Sequence, residues 1–340
     1  MNAQLQSLEK RCLELAEELG LAHSGTAIDV QPLTGGVASD IARVDLSGRR
    51  LAMKFALSKL KVKEDWFAPV QRNSAEYAWL SVASAVLGER AIKLYGRSER
   101  LHGFAMEFVG GPEVYLWKSA LLEQREVQGE AAAVGDLVGR MHSASCQPGF
   151  DRRPFANRDD FFALRIEPYL LFTARRHLDL ATSLQALGSM LFHSTSVLVH
   201  GDVSPKNILC REGYPVILDA ECATMGDGCF DAAICPNQLL LKACHLPQLR
   251  ETLLANVMDF WSSYSAHVCW EEPEDVEART VRLLPALMLA RVDGKSPVEY
   301  LTPREQSVVR QIARTLILSP VPRLPDLVST CRDLLREADE

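Results

Sequence analysis

Apolar residues recur at helical spacing from residue 4 to 21, at Leu5, Leu8, Cys12, Leu13, Leu15 and Leu19. That spacing predicts a surface helix. From Thr26 to Phe55 the pattern changes to short apolar runs. Residues 27–30, 41–44 and 51–55 read as strands, punctuated by turns at Thr34-Gly35-Gly36 and Ser47-Gly48-Arg49. Helical spacing returns over residues 70–87, with Val70, Tyr77, Leu80 and Ala83 on the inward face. Residues 91–95 and 104–109 predict two more strands on either side of a polar turn at residues 96–100. Gly110-Gly111-Pro112 then interrupts the chain. Beyond it the pattern is mostly helical, except between Val197 and Asp219, where short apolar runs alternate with turns. The expectation is a small strand-rich lobe, residues 1–110, followed by a larger helical one, residues 111–340.

Composition narrows the function. The 340 residues carry 37 Lys plus Arg against 44 Asp plus Glu, a net charge of −7. That balance lacks the basic footprint of a nucleic-acid binder. An apolar content of 47% provides a core and excludes wholesale disorder. No apolar run approaches the ~18 residues that span a bilayer, and the amphipathic N-terminus lacks a signal peptide's apolar centre. The expectation is a cytoplasmic protein with no membrane partner. Nine cysteines, an odd number without a CxxC pair, fit buried apolar positions better than a disulfide framework or a zinc ribbon.

Candidate chemistry concentrates between residues 197 and 231. An apolar run leads into His200-Gly201-Asp202, Asn207 follows five residues after Asp202, and a second run leads into Asp219-Ala220-Glu221. Carboxylates and a carboxamide at the ends of neighbouring strands are hard oxygen donors, suited to Mg²⁺ on a phosphate-bearing substrate. Asp, then Asn five residues on, then an Asp after a strand is the order of a kinase catalytic loop.

His200-Gly201-Asp202-x4-Asn207, Asp219-x-Glu221 and Gly226-Asp227-x3-Asp231 resemble the aminoglycoside phosphotransferase and choline kinase superfamily. The Asp-x-Glu form, with Phe230-Asp231 after it, is most similar to the methylthioribose kinase branch. The resemblance implies an α+β, bilobal, protein-kinase-like fold, with a small antiparallel-sheet N-lobe and a larger, mainly helical C-lobe. It also implies an enzyme that moves the γ-phosphoryl group of ATP to a hydroxyl of a small substrate. In such an enzyme Asp202 is the catalytic base, and Asn207, Asp219 and Glu221 hold magnesium. Lys54 clamps the nucleotide phosphates and Glu76 positions it. Gly35, Gly36 and Ser39 form the phosphate-covering loop, and Met106, Glu107, Phe108 and Val109 form the adenine-binding strand end. Asp231 braces the catalytic loop, and Lys206 either faces the transferring phosphoryl or faces solvent.

The acceptor is expected in the helical part, at Arg165 and Glu167 before Pro168 and at Arg291, Asp293 and Lys295 around a helix end. Helix capping by Gly294 and dipole complementation compete with that second assignment. The acidic run Glu271–Glu277 suits either a cationic acceptor or a helix start, and the proline inside it favours the start. A protein Ser/Thr kinase and a non-catalytic pseudokinase are the competing readings. The first lacks His-Arg-Asp, Asp-Phe-Gly and Ala-Pro-Glu, and the second sits poorly with an intact Lys54, Asp202, Asn207 and Asp219.

Overall fold

The computed structural model describes residues 2–23, 25–33, 39–59, 69–125 and 129–339. The chain divides into two compact units, Met1–Val114 and Tyr115–Glu340.

The first unit is built on a five-stranded antiparallel sheet. Its strands are β1 (Ile28–Leu33), β2 (Ser39–Leu46), β3 (Arg49–Ala56), β4 (Leu94–Ser98) and β5 (Gly103–Glu107), in the order β1-β2-β3-β5-β4. Helix α1 (Asn2–Glu18) lays its apolar stripe on this sheet. Leu8, Cys12, Leu15 and Ala16 join Val44, Leu51, Met53 and Phe55 in one core. Burying leucines such as Leu8 and Leu15 contributes roughly 1.5–3 kcal/mol each, so the stripe read from the sequence accounts for the helix's place. Helix α2 (Arg72–Leu87) turns Ala75, Glu76, Trp79, Leu80 and Ala83 inward.

The fourth strand lies later than its pattern predicts, at Leu94–Ser98 instead of residues 91–95. The β4–β5 register slips between Leu94 and Gly96. Gly96 has φ +134, and a Cβ there would lie 2.7 Å from the Leu19 side chain. The glycine that reads as a turn is therefore a bulge inside the strand, a place where a missing side chain admits a close neighbour.

The second unit is mainly helical. Strand β6 (Val114–Leu116) leads into α3 (Trp117–Leu122) and α4 (Glu130–Ser145). Then come α5 (Arg158–Phe161), a π-helical stretch Phe162–Leu171, α6 (Phe172–Arg176) and α7 (Ala181–His193). Pro168 inside the π-helical stretch lacks an N–H, which explains the departure from α-helical bonding there. Strand β7 (Val197–Val199) pairs antiparallel with β10 (Thr224–Gly226), and β8 (Ile208–Arg211) pairs with β9 (Tyr214–Ile217). Helices α8 (Cys229–His245), α9 (Arg250–Ser265), α10 (Pro273–Asp293), α11 (Pro303–Leu318) and α12 (Leu324–Glu337) complete the unit. Strands β6 and β10 are three residues each, too short to show a period of two.

All nine cysteines are free thiols. Cys222, Cys229, Cys235 and Cys244 are buried, and burial pushes the Cys222 and Cys244 thiols up to about 12. They pack as small apolar groups. Among the described residues no helix is long and apolar enough to cross a membrane.

Candidate active site

In the first unit Lys54 sits on β3, opposite Ile41 of β2 and Phe104 of β5. It is 2% exposed. A lysine in that setting needs a counter-charge, and α2 supplies it. Lys54 Nζ lies 2.8 Å from Glu76 Oε1 and 2.7 Å from Oε2. The structure thus selects Glu76 as the partner of Lys54. Ser39 begins β2 opposite Ala56 and is buried, whereas Gly35 and Gly36 lie outside the described residues. Met106 is buried in β5, which ends at Glu107. Glu107 is fixed by its N–H to Lys93 O at 2.8 Å and by Lys93 N–H to its Oε2 at 3.2 Å. Phe108 N–H reaches Arg50 O at 3.4 Å, and Val109 follows without strand pairing.

In the second unit β7 delivers His200-Gly201-Asp202. Ser145 on α4 accepts the Leu198 N–H at 2.8 Å and ties β7 to that helix. The loop then turns sharply. Gly201 has φ +80, and a Cβ there would lie 2.9 Å from Cys222 Cβ and 3.1 Å from Cys222 O. Both the left-handed backbone and the close approach call for glycine, which explains His-Gly-Asp at this position.

Asp231, in the first turn of α8, braces the loop. Its Oδ2 accepts the His200 N–H at 2.6 Å and its Oδ1 accepts the Gly201 N–H at 2.9 Å. His142 Nε2 lies 3.2 Å from the same Oδ2, and the Tyr264 hydroxyl lies 3.0 Å from His142 Nδ1. A carboxylate only accepts, so Nε2 carries the proton that faces Asp231. His200 accepts the Asp202 N–H on Nδ1 at 3.1 Å, and burial lowers its pKa. It acts as a neutral brace for the loop.

Asp202 is 5% exposed, with Arg165 Nη2 at 3.1 Å and Lys206 Nζ at 3.0 Å from its Oδ2. Burial alone would raise its pKa, but Lys206 and Arg165 more than offset that and hold the carboxyl well below its ordinary range. The two cations thus favour the carboxylate form of Asp202. Arg165 also donates to Gly201 O and Leu164 O, at 2.5 and 2.8 Å.

Asn207 closes the loop. Its Nδ2 donates to Asp202 O at 3.1 Å, which leaves the carboxamide oxygen as an acceptor. Leu218 N–H donates to Asn207 O at 2.8 Å, so the β8–β9 hairpin brings Asn207 level with Leu218, next to Asp219. Asp219 has φ +70, a left-handed conformation that is rare outside glycine and enriched in Asp and Asn. Such strain persists where the surroundings impose it, often at functional sites. Glu221 is buried two residues on. The set Asn207, Asp219 and Glu221 offers oxygen alone, which fits Mg²⁺ and excludes soft metals as the preferred guest.

Residues 29–255 match the model of the phosphotransferase enzyme family. The chain belongs to that family. The match does not single out the methylthioribose branch. No curated relative matches the chain in sequence. Among solved structures, the phosphotransferase is similar to a choline/ethanolamine kinase family protein from Mesorhizobium loti. Identity is 14% and the TM-score 0.52, over 98% of this chain and 95% of that one. It is also similar to an ethanolamine kinase of Plasmodium vivax, at 13% identity and a TM-score of 0.50, over 96% and 86%. At such identities these likenesses establish the fold.

The residues expected to bind the acceptor separate into two groups. Arg291 lines a small cavity beside Asp202, whereas Arg165 is bound to Asp202 itself. Glu167, Asp293 and Lys295 do neither, and each is engaged in ion pairs. Glu167 binds Arg175 at 2.6 Å and Lys295 at 2.8 Å. Asp293 accepts from Arg310 at 2.8 and 2.9 Å and lies 2.8 Å from His177. Gly294 caps α10, where a Cβ would meet Ala290 O at 2.3 Å, and Lys295 N–H bonds Pro168 O at 3.1 Å. The charges around this helix end hold the π-helical stretch, α10 and α11 together.

The acidic run is consumed in the same way. Glu272 is the N-cap residue of α10. Glu271 binds Arg279 at 2.6 Å, and Arg279 also holds Asp227 at 2.9 Å. Glu277 accepts from Arg323 and from the Leu324 N–H at the start of α12. Sequence reasoning passed over His142, Tyr264, Lys118, Lys242 and Tyr300. Only Lys242 carries a signal, a lone lysine in the apolar run Leu239–Cys244.

Proposed function

We propose that this phosphotransferase moves the γ-phosphoryl group of ATP to a hydroxyl of a small molecule. The observation that carries the reading is the catalytic loop. Asp202 is ionised, closely held by Arg165 and Lys206, and set on a backbone that Asp231 fixes through two N–H groups. In the reaction the acceptor oxygen bonds the γ-phosphorus. The bond from that phosphorus to the bridging oxygen breaks, and its electron pair leaves with ADP. The hydroxyl proton passes to an Asp202 carboxylate oxygen. A carboxylate of low pKa is a weak base, but phosphoryl transfer proceeds through a loose transition state in which proton abstraction is a minor demand. Positioning of the hydroxyl is the larger contribution.

Lys54, held by Glu76, binds the nucleotide phosphates, and the strand end Met106–Val109 receives the adenine. Asn207, Asp219 and Glu221 hold magnesium, which neutralises phosphate charge when bound. Arg165 and Lys206 limit the freedom of the Asp202 side chain, and Lys206 also stands where it can meet the charge of the transferring group.

Replacing the base leaves shape intact and tests the assignment. Asp202→Asn is expected to lower ATP-dependent phosphorylation of a hydroxylated-metabolite panel by ~100-fold or more, with ADP affinity retained. Turnover within a few fold of the parent would remove Asp202 from the role of base.

A further inference from the structure

The cavity beside Asp202 has a charge pattern that the reaction alone does not require. It encloses about 50 Å³ within the second unit, far below the ~300–1,000 Å³ of sites for drug-sized ligands. Six charged groups line it, Lys118, Lys206, Lys242, Arg291, Asp202 and Glu299. Two cations are satisfied internally: Lys206 by Asp202, and Lys118 by Glu299. Lys242 and Arg291 are left over.

Lys242 is 1% exposed, in the last turn of α8 and inside an apolar run. Among the described residues its ammonium reaches the Gln238 carbonyl, at 3.4 Å, and the face of the Tyr300 ring, 5.1 Å from the centroid. Arg291 Nη1 donates to the Ser296 carbonyl, to Ser296 Oγ at 3.1 Å and to the Tyr169 hydroxyl at 3.3 Å, while its Nε has no hydrogen-bond partner among the described residues. Among the described residues neither cation has a carboxylate at ion-pair distance. Two residues that line the same cavity, Ser204 and Tyr300, carry buried hydroxyls that have no hydrogen-bond partner among the described residues.

A buried ammonium with no counter-ion is among the costliest arrangements a core can hold. Here it stands with an unsatisfied guanidinium N–H and two unsatisfied hydroxyls. All are hydrogen-bond donors, and all belong to residues that line one cavity, which Asp202 also lines. A cationic acceptor would add charge to a wall already in positive excess. An oxyanion would meet two charges and several donors at once, by charge-assisted hydrogen bonds.

We infer that the acceptor carries a carboxylate or phosphate group, seated on Lys242 and Arg291 with Ser204 and Tyr300, while its hydroxyl faces Asp202. This inference rests on the phosphotransferase reading and adds the substrate's charge class to it. Burial, with Lys118 and Arg291 nearby, brings Lys242 down to about 7, so an arriving anion also draws a proton onto it.

The test uses four probes that share one diol: glycerol, 3-amino-1,2-propanediol, glycerate and glycerol 3-phosphate. Each is titrated calorimetrically into the full chain loaded with Mg·ADP. Both anions are expected to bind at least about tenfold tighter than glycerol, with the amine weakest. Tighter binding of glycerate assigns the seat to a carboxylate, and tighter binding of glycerol 3-phosphate assigns it to a phosphate. Lys242→Met and Arg291→Gln should each erase most of the preference, and Lys242→Arg should restore part of it. Lys242→Met should also raise the melting temperature, whereas loss of a merely structural side chain would lower it. The inference is overturned if the amine binds tightest, if the four probes bind alike or not at all, or if the variants keep the anion preference. A fully active Asp202→Asn would contradict the kinase reading while leaving the probe preference standing, so the two failures are separable.

Discussion

Two lysines in this protein are equally hidden from water and have opposite surroundings. Lys54, in the first unit, is 2% exposed and meets both oxygens of the Glu76 carboxylate. Lys242, in the second unit, is 1% exposed and meets a carbonyl and a ring face. A buried cation whose counter-charge is built into the fold has its geometry set before any ligand arrives. A buried cation without one keeps its desolvation cost uncompensated until an anion from outside the chain arrives. On this account Lys54 belongs to a pre-positioned phosphate clamp, and Lys242 waits for the acceptor.

The largest expected effect separates the two directly. Lys54→Met strands a buried carboxylate, so unfolding free energy should fall by about 3–5 kcal/mol in urea titration. Lys242→Met removes a stranded charge and should raise it by roughly 2 kcal/mol at pH 6. Equal signs for the two variants would break the comparison.

A smaller effect sharpens it through pH. The groups that face Lys242 are Lys118 and Arg291, which lower its pKa further, and Cys235 and Glu299, which raise it. Below about pH 7 Lys242 is protonated in both the folded and the unfolded chain. Between about 7 and its ordinary 10.5 the unfolded chain holds a proton that the folded one lacks, so stability gains from rising pH. The advantage of Lys242→Met over the parent should therefore shrink from pH 6 to pH 9. A constant difference would mean that Lys242 keeps its ordinary pKa. The smallest effect concerns the charges near the α10 end. Lys295→Met opens a half-exposed pair with Glu167, and should cost under ~1 kcal/mol and leave probe binding unchanged.

Legibility in the sequence follows the same division. The proposed catalytic loop and metal donors lie within the short stretch from His200 to Glu221, so their spacing survives as a motif. Lys54 is visible as a single charge in an apolar strand. The cavity is a different case, because Lys118, Lys242, Arg291 and Tyr300 come from four separate segments with no spacing to connect them. The charged cluster Arg291–Lys295 draws attention by its density, yet Asp293 and Lys295 serve packing and only Arg291 reaches the cavity. Glu167, expected at the acceptor, pairs with Arg175 and Lys295. In the fold, the antiparallel sheet and the helical second unit follow from the two hydrophobic periods, whereas the shift of β4 arises from Gly96 meeting Leu19, a contact between distant residues.

The most direct test of the central claim follows the label from γ-labelled ATP in the parent and in Asp202→Asn. Hydroxy acids, sugar phosphates, amino alcohols and a generic protein substrate are offered side by side. The account predicts label in an anionic small molecule, falling by ~100-fold or more in the variant. Label in the protein substrate, or undiminished transfer in Asp202→Asn, would contradict it.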